Sequence, residues 1–200
     1  MGRVILKEMK PSRGTALYGL VLEGGQSTRM GKDKAFLHYH GLPQRDYVFQ
    51  LLEKFCDRVF HSVNSKALPG DNMIKDEYLL QGPLNGILSA FNYRTDVAWI
   101  TVPVDMPFVD ESTIQFLLDH RDTTKVATCF YDSDGKLPEP LLTIWEPASA
   151  VLLKAFYENG KSSPREFLTT ANSKLVTAPD QKALKNFNTP EDFDEFPGIQ

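Results

Sequence analysis

A chain of 200 residues, 42% hydrophobic and 24% charged, is sized for one domain and carries enough apolar material for a substantial core. Its net charge of −4 supplies no global field for nucleic acid or an anionic membrane, so an anion site has to be a local basic cluster. The distant Cys56 and Cys129 form no zinc pattern and suit a reduced cytoplasm, and no apolar run is long enough to cross a bilayer.

Met1 to Arg13 carry charges without a continuous apolar stretch, so no signal peptide is expected, and residues 1–15 read as a basic N-terminal extension before a single domain over 16–200. Leu17 to Leu22 reads as a buried strand, and Tyr47, Val48, Leu51, Leu52 and Phe55 recur at helical spacing. Arg58 to Asn64 and Met73 to Asp76 read as strands, Leu84 to Tyr93 as a helix, and Val97 to Val104 as the most apolar, central strand. Asp110 is placed to cap the helix holding Ile114, Phe116, Leu117 and Leu118. Strands are expected over Lys125 to Tyr131, Leu141 to Trp145 and Lys174 to Thr177, with helices opening at Pro147 and Pro164. Asn188-Thr189-Pro190-Glu191-Asp192 reads as a capped helix start. The alternation predicts an α/β fold, a three-layer, doubly wound, mostly parallel sheet, with ligands at the carboxyl ends of its strands.

The chemistry concentrates at those ends. Leu22-Glu23-Gly24-Gly25 leads into a polar run carrying Arg29, Lys32 and Lys34. Glycines let backbone N–H groups approach a ligand closely, and the cations suit a polyphosphate. Neither the P-loop nor the G-x-G-x-x-G spacing is reproduced. Asp105, at the exit of the central strand, is a natural Mg²⁺ ligand or a turn cap. Asp76 can accept from ribose hydroxyls or a base edge, Asn64 can donate and accept, and Gly82 and Gly86 let the backbone pass close to a base; each also suits a simple turn. Asn186 and Asn188 share one side at strand spacing, and Lys161 and Arg165 offer charge to a second anionic group. The histidines show no metal spacing, and no Ser/His/Asp nucleophile set stands out.

Taken together, Leu22 to Lys34 as L-x-G-G-x-S-x-R-M-G-x-D-K, Asp76 with Gly82-Pro83-Leu84-Asn85-Gly86, Asp105-Met106-Pro107-Phe108, and Asn186-Phe187-Asn188-Thr189-Pro190-Glu191 resemble the motifs of the molybdenum cofactor guanylyltransferase family, in the right order from about Tyr18 to Phe193. The resemblance implies a Rossmann-like nucleotidyltransferase fold and transfer of GMP from GTP to the phosphate of molybdopterin, or molybdenum cofactor, with release of pyrophosphate. It implies GTP contacts at Leu22, Glu23, Gly24, Lys34, Asn64, Asp76 and Asp105; Gly25 and Gly82 join this nucleotide set through their backbones, and Arg29, Lys34 and Asp105 are the residues suited to catalysis by charge neutralisation. Asp105 would hold Mg²⁺, and Lys161, Arg165, Asn186 and Asn188 would face the second substrate. Implied partners are GTP, the pterin and other cofactor-biosynthesis or acceptor proteins, with no nucleic acid and no membrane, in the cytoplasm. Two departures stand out: Glu23 sits where the family commonly has Ala, and Ser162-Ser163 sit where some relatives carry pterin-binding arginines. A related cytidylyltransferase and a non-catalytic nucleotide-binding module remain alternatives.

Overall fold

The computed structural model describes residues 14–23, 38–68, 70–188 and 192. The N-terminal extension before residue 14, the run from Gly24 to Leu37, and Thr189 to Glu191 lie outside the described residues.

A seven-stranded sheet in the order β3-β2-β1-β4-β6-β5-β7 forms the middle layer. Its strands are β1 (Leu17–Leu22), β2 (Arg58–Val63), β3 (Met73–Lys75), β4 (Ala98–Pro103), β5 (Ala127–Tyr131), β6 (Pro138–Trp145) and β7 (Lys174–Val176). The helices are α1 (Gln44–Glu53), α2 (Pro83–Tyr93), α3 (Glu111–Asp119), α4 (Ser149–Glu158) and α5 (Pro164–Thr170), followed by a 3-10 turn at Gln181–Leu184. The chain winds outward from β1 through β2 to β3, then returns to the other side of β1 with the parallel β4, so the strand order reverses between β1 and β4. Such a switch point opens a crevice outside the carboxyl ends of the strands.

Strand alternation divides the core into two layers. Val21, Ile100, Val102, Leu142 and Ile144 pack with Val48, Leu51 and Leu52 of α1 and Ile114 and Leu117 of α3. Leu20, Leu22, Phe60, Trp99 and Trp145 face Leu84, Ile87, Leu88 and Phe91 of α2, Leu153 of α4 and Phe167 of α5. β4 is buried at every position, as its apolar run predicts for a strand covered on both faces. Each such Leu or Ile contributes about 1.5–3 kcal/mol by leaving water. No helix among the described residues is long and apolar enough to cross a membrane.

One strand runs against the rest. β6 is antiparallel to both β4 and β5, because the Asp132–Leu137 connection is a hairpin turn rather than a crossover helix. It also begins earlier than Leu141: Pro138 pairs with Tyr131 where the ladder shifts register, a place where a proline's missing N–H costs nothing. The reversal brings the amino end of β6, with Glu139, to the edge where its neighbours end.

The expected cap of α3 is present. Asp110 accepts from the backbone N–H of Thr113 at 2.8 Å and from the hydroxyls of Thr113 and Ser112 at 2.7 and 2.8 Å. Asp110→Ala therefore costs about 1 kcal/mol, a melting temperature lower by roughly 2–4 °C in a thermal scan.

Candidate active site

Leu22, Val63 and Lys75 end their strands side by side, since Leu22 pairs with Ser62 and Val63 with Lys75. Beyond them opens a cleft of ≈ 930 Å³ whose walls include Leu22, Glu23, Asn64, Asp76, Gly82 and Gly86. That volume lies in the usual range for small-molecule sites, about 300–1,000 Å³. The sequence sets its back wall through Gly86: a Cβ there would lie 2.2 Å from Ser62 Oγ and 3.1 Å from its Cβ, so a side chain would force Ser62 or α2 to shift. Gly82 has φ +99 and turns the chain into α2, with Pro83 in the first helical turn.

Glu23 would repel phosphate if its carboxylate faced the ligand. Instead Glu23 is paired with Arg45, Nη1 to Oε2 at 3.0 Å, and with His61 Nδ1. Phe49 stacks on the His61 ring at 4.7 Å, holding the imidazole in place. The departure at position 23 is thus compensated by a cation from α1 and a histidine from β2, which the histidine spacing did not suggest.

Asp76 extends the parallel ladder by donating its backbone N–H to Val63 O at 2.9 Å. Its carboxyl is half-buried, and desolvation raises its pKa from 3.8 to about 6. The folded chain therefore holds this proton more tightly than the unfolded chain. The resulting cost to stability is absent below pH 3.8, grows between 3.8 and about 6, and is fully present above that. Asp76→Asn is expected to raise the melting temperature at pH 7 by roughly 2–4 °C, since the screened cost at a half-exposed group is about 1 kcal/mol. If the ionised carboxylate accepts from the ligand, wild-type nucleotide affinity falls about tenfold per unit as pH drops below that pKa, and the Asn variant shows no such fall. A thermal scan at pH 7 checks the first outcome, and titration calorimetry of both proteins between pH 5 and 8 checks the second.

Asn64 closes the turn after β2, its side-chain oxygen accepting from Lys66 N at 3.0 Å. What it still offers a ligand is its amide N–H pair.

Asp105 lies across β1 from this cleft and is not among the residues lining it. Its turn is held from several directions. Val104 N donates to Leu22 O at 3.2 Å, and Phe187 N donates to Asp105 O at 2.7 Å. The Phe187 ring meets Tyr39 and Phe108 edge-on at 5.7 and 5.3 Å. His40 Nε2 donates to Pro107 O at 2.9 Å while its ring stacks on Tyr47 at 3.6 Å. Burial raises the Tyr39 pKa, and the charges of Asp105 and Asp192 add to the rise, so Tyr39 stays a neutral phenol beside the carboxylate.

Glu139, 3% exposed, stands on the same edge. Burial lifts its pKa to about 6; the Leu141 N–H and Arg165 oppose the rise, and Asp105 and Asp132 add to it. Arg165, in the first turn of α5, reaches Asp132 Oδ2 at 3.1 Å and Glu139 Oε2 at 3.8 Å, which carries its charge toward the Asp105 side. Lys161 instead pairs with Glu166 at 2.7 Å on the surface and lies over the Phe156 ring; no described contact joins it to Asp105 or the cleft. Asn186 and Asn188 flank the buried Phe187, which places Asn186 next to the Asp105 turn, and Asn188 N donates to Asp192 Oδ2 at 2.7 Å.

Of the residues expected from sequence, Leu22, Glu23, Asn64, Asp76 and Gly82 are gathered around one cleft, with Asp105, Arg165 and Asn186 beyond β1. Gly24, Gly25, Arg29 and Lys34 lie outside the described residues. Arg45, His61, Tyr39, His40 and Glu139 escaped sequence reading, because each acts through partners distant in the chain.

The MobA-like NTP transferase domain matches residues 19–175. A molybdenum cofactor biosynthesis bifunctional protein from Synechocystis is 33% identical over 90% of this chain, which spans only 53% of that protein. Molybdenum cofactor guanylyltransferase from Cereibacter sphaeroides is 30% identical over 88% of this chain and 93% of its own length, and that of Serratia proteamaculans is 28% identical over 87% and 90%. Among solved structures, molybdopterin-guanine dinucleotide biosynthesis protein A from Archaeoglobus fulgidus superposes with a TM-score of 0.73 at 20% identity, covering 88% of this chain and 95% of its own. A 2-C-methyl-D-erythritol 4-phosphate cytidylyltransferase from Thermus thermophilus reaches 0.64 at 12% identity, over 88% and 95%.

Proposed function

The chain belongs to the MobA-like NTP transferase family, and on that premise we propose that it is a molybdenum cofactor guanylyltransferase, moving GMP from GTP to the terminal phosphate of molybdopterin and releasing pyrophosphate. The observation that carries the reading is the pairing of two half-sites on one sheet edge. A nucleotide-sized cleft holding Asp76 lies on the β2–β3 side of β1, and Asp105 with Arg165 lies on the other. The reacting phosphates would meet above the end of β1, where Leu22 leads into the glycine-rich run.

The attacking group would be a phosphate oxygen, ionised at neutral pH, so no general base is needed. Rate enhancement then comes from positioning and charge neutralisation around the α-phosphate. Lys34 and Arg29 would counter the triphosphate charge, and Gly24 and Gly25 would bring backbone N–H groups to it. Asn64, Asp76 and Gly82 would receive the nucleoside, and Asn186, Asn188 and Arg165 the pterin end, whereas Lys161 is engaged by Glu166 on the surface.

The donor set on the Asp105 edge fits Mg²⁺. Asp105 and the neighbouring Glu139 are hard oxygen donors, and the described residues form no cluster of three or more His, Cys, Asp or Glu that would enclose a metal alone. Mg²⁺ suits such a site, held by one or two carboxylates and completed by water and substrate phosphates. Asp105 would hold it, and once bound it would supply charge neutralisation at the transferring phosphoryl group. A cytoplasmic setting agrees with two buried cysteines that form no disulfide.

Base choice is tested by thermal shift with each of the four nucleoside triphosphates and Mg²⁺. GTP should stabilise most, and equal or greater stabilisation by CTP would replace the guanylyl assignment with a cytidylyl one.

A further inference from the structure

One face of α2 carries polar side chains where the helix is otherwise apolar and buried. Asn85, Ser89 and Asn92 stand at i, i+4 and i+7, so they line up along the helix. All three turn to the same short loop, which leaves β3 with Asp76 and returns at Gly82. Asn85 Nδ2 donates to Tyr78 O and Leu80 O, both at 2.8 Å, and its Oδ1 accepts from Tyr78 N at 3.1 Å. Ser89 Oγ accepts from Glu77 N at 3.0 Å and donates to Asn85 Oδ1 at 3.2 Å. Asn92 donates to Glu77 Oε2 and accepts from the Tyr78 hydroxyl, both at 2.9 Å.

The tip of the loop is not anchored by burial. Leu79 at its tip is 102% exposed, whereas Asn85 is 3% and Ser89 0% exposed. Tyr78 and Leu80 pack partly against the core and Tyr78 meets Tyr157 edge-on at 5.1 Å, while the backbone between Glu77 and Leu80 is held by the hydrogen bonds to the helix. The same loop places Asp76, Tyr78, Leu80, Gln81 and Gly82 on the wall of the cleft.

We propose that Asn85, Ser89 and Asn92 are positioning residues for nucleoside recognition, holding the 76–82 loop in its ligand-ready shape before the nucleotide arrives. The inference rests on the nucleotidyltransferase reading of that cleft. It assigns a role to Asn85 within the Gly82-Pro83-Leu84-Asn85-Gly86 turn. A preformed loop spares the ligand the ordering cost, so loss of the clamp appears as weaker binding of the nucleoside portion. The triphosphate portion, which the clamp does not reach, is unaffected.

The test compares wild type with Asn85→Ala, Ser89→Ala and the more exposed Asn92→Ala. Binding of GTP and of inorganic tripolyphosphate is measured, with KM and kcat for guanylyl transfer. Should another nucleoside triphosphate bind wild type best, it takes the place of GTP, so that an error in base assignment is separated from an error about the clamp. Asn85→Ala should weaken the nucleotide by about tenfold or more, as expected for losing three hydrogen bonds to partly buried backbone groups. Ser89→Ala and Asn92→Ala should follow with smaller losses, tripolyphosphate affinity should hold, and KM should rise while kcat stays within about threefold. Unchanged nucleotide binding in Asn85→Ala and Ser89→Ala overturns the proposal. An equal loss of nucleotide and tripolyphosphate does so as well, because it marks general destabilisation.

Discussion

Asp105→Asn is expected to fold with an undiminished melting temperature and to lose guanylyl transfer by about two to three orders of magnitude. The substitution keeps the side chain's size. The backbone carbonyl that receives Phe187 N is untouched, so the aromatic contacts of Phe187 with Tyr39 and Phe108 persist. Removing the charge also relieves repulsion with Glu139, whose pKa Asp105 helps to raise. Through these contacts stability has no reason to fall. Catalysis does, because an amide is a far weaker ligand for a hard divalent cation than a carboxylate, and a contact that strengthens as phosphoryl charge develops lowers turnover more than affinity. GTP binding measured without metal should remain close to wild type. A variant with near wild-type turnover in Mg²⁺ would make Asp105 only a turn residue.

Arg165→Ala is expected to raise KM for the pterin substrate by about 10–100-fold, the worth of one charge-assisted contact, while GTP affinity stays within about threefold. Arg165 spans the turn after β5 and the start of β6 through Asp132 and Glu139. Its five N–H donors leave capacity for an anionic ligand beside those carboxylates. Arg165→Lys should recover only part of the loss, since a lysine keeps the charge but not the planar fork. Equal losses for pterin and GTP would show that Arg165 braces the sheet edge rather than meeting the second substrate. Steady-state kinetics with each substrate varied in turn reads the difference.

Local physics explains which features were legible in the sequence. The run Ala98 to Pro103 is apolar but for Thr101 and became the central β4, and the spacing of Asp110 before its apolar helix fixed a cap that forms as expected. Asn64 and Asp76 follow directly on strands, so reading the strands located them at the cleft. Asp105 likewise lies just past β4, yet on the far side of β1, a separation visible only once strand order is known.

The features that escaped depend on long-range assembly. Asp132 to Gly135 reads as a turn, but nothing local says that the strand after it inserts between β4 and β5, the step that delivers Glu139 to the Asp105 edge. Glu23, Arg45 and His61 come from three different elements or their ends, and each alone resembles an ordinary surface charge. The Asn85, Ser89 and Asn92 stripe has a readable helical period, yet it is embedded in a helix whose remaining residues signal only burial.

Transfer itself is the most direct test of the account. Purified protein, Mg²⁺ and reduced molybdopterin are incubated with GTP or CTP labelled at the α-phosphate, and label in the pterin dinucleotide is followed with released pyrophosphate. The account predicts a guanine dinucleotide and an equal amount of pyrophosphate from GTP, with at most a small yield from CTP. A cytosine dinucleotide as the main product, or tight GTP binding with no dinucleotide from either nucleotide, would contradict it.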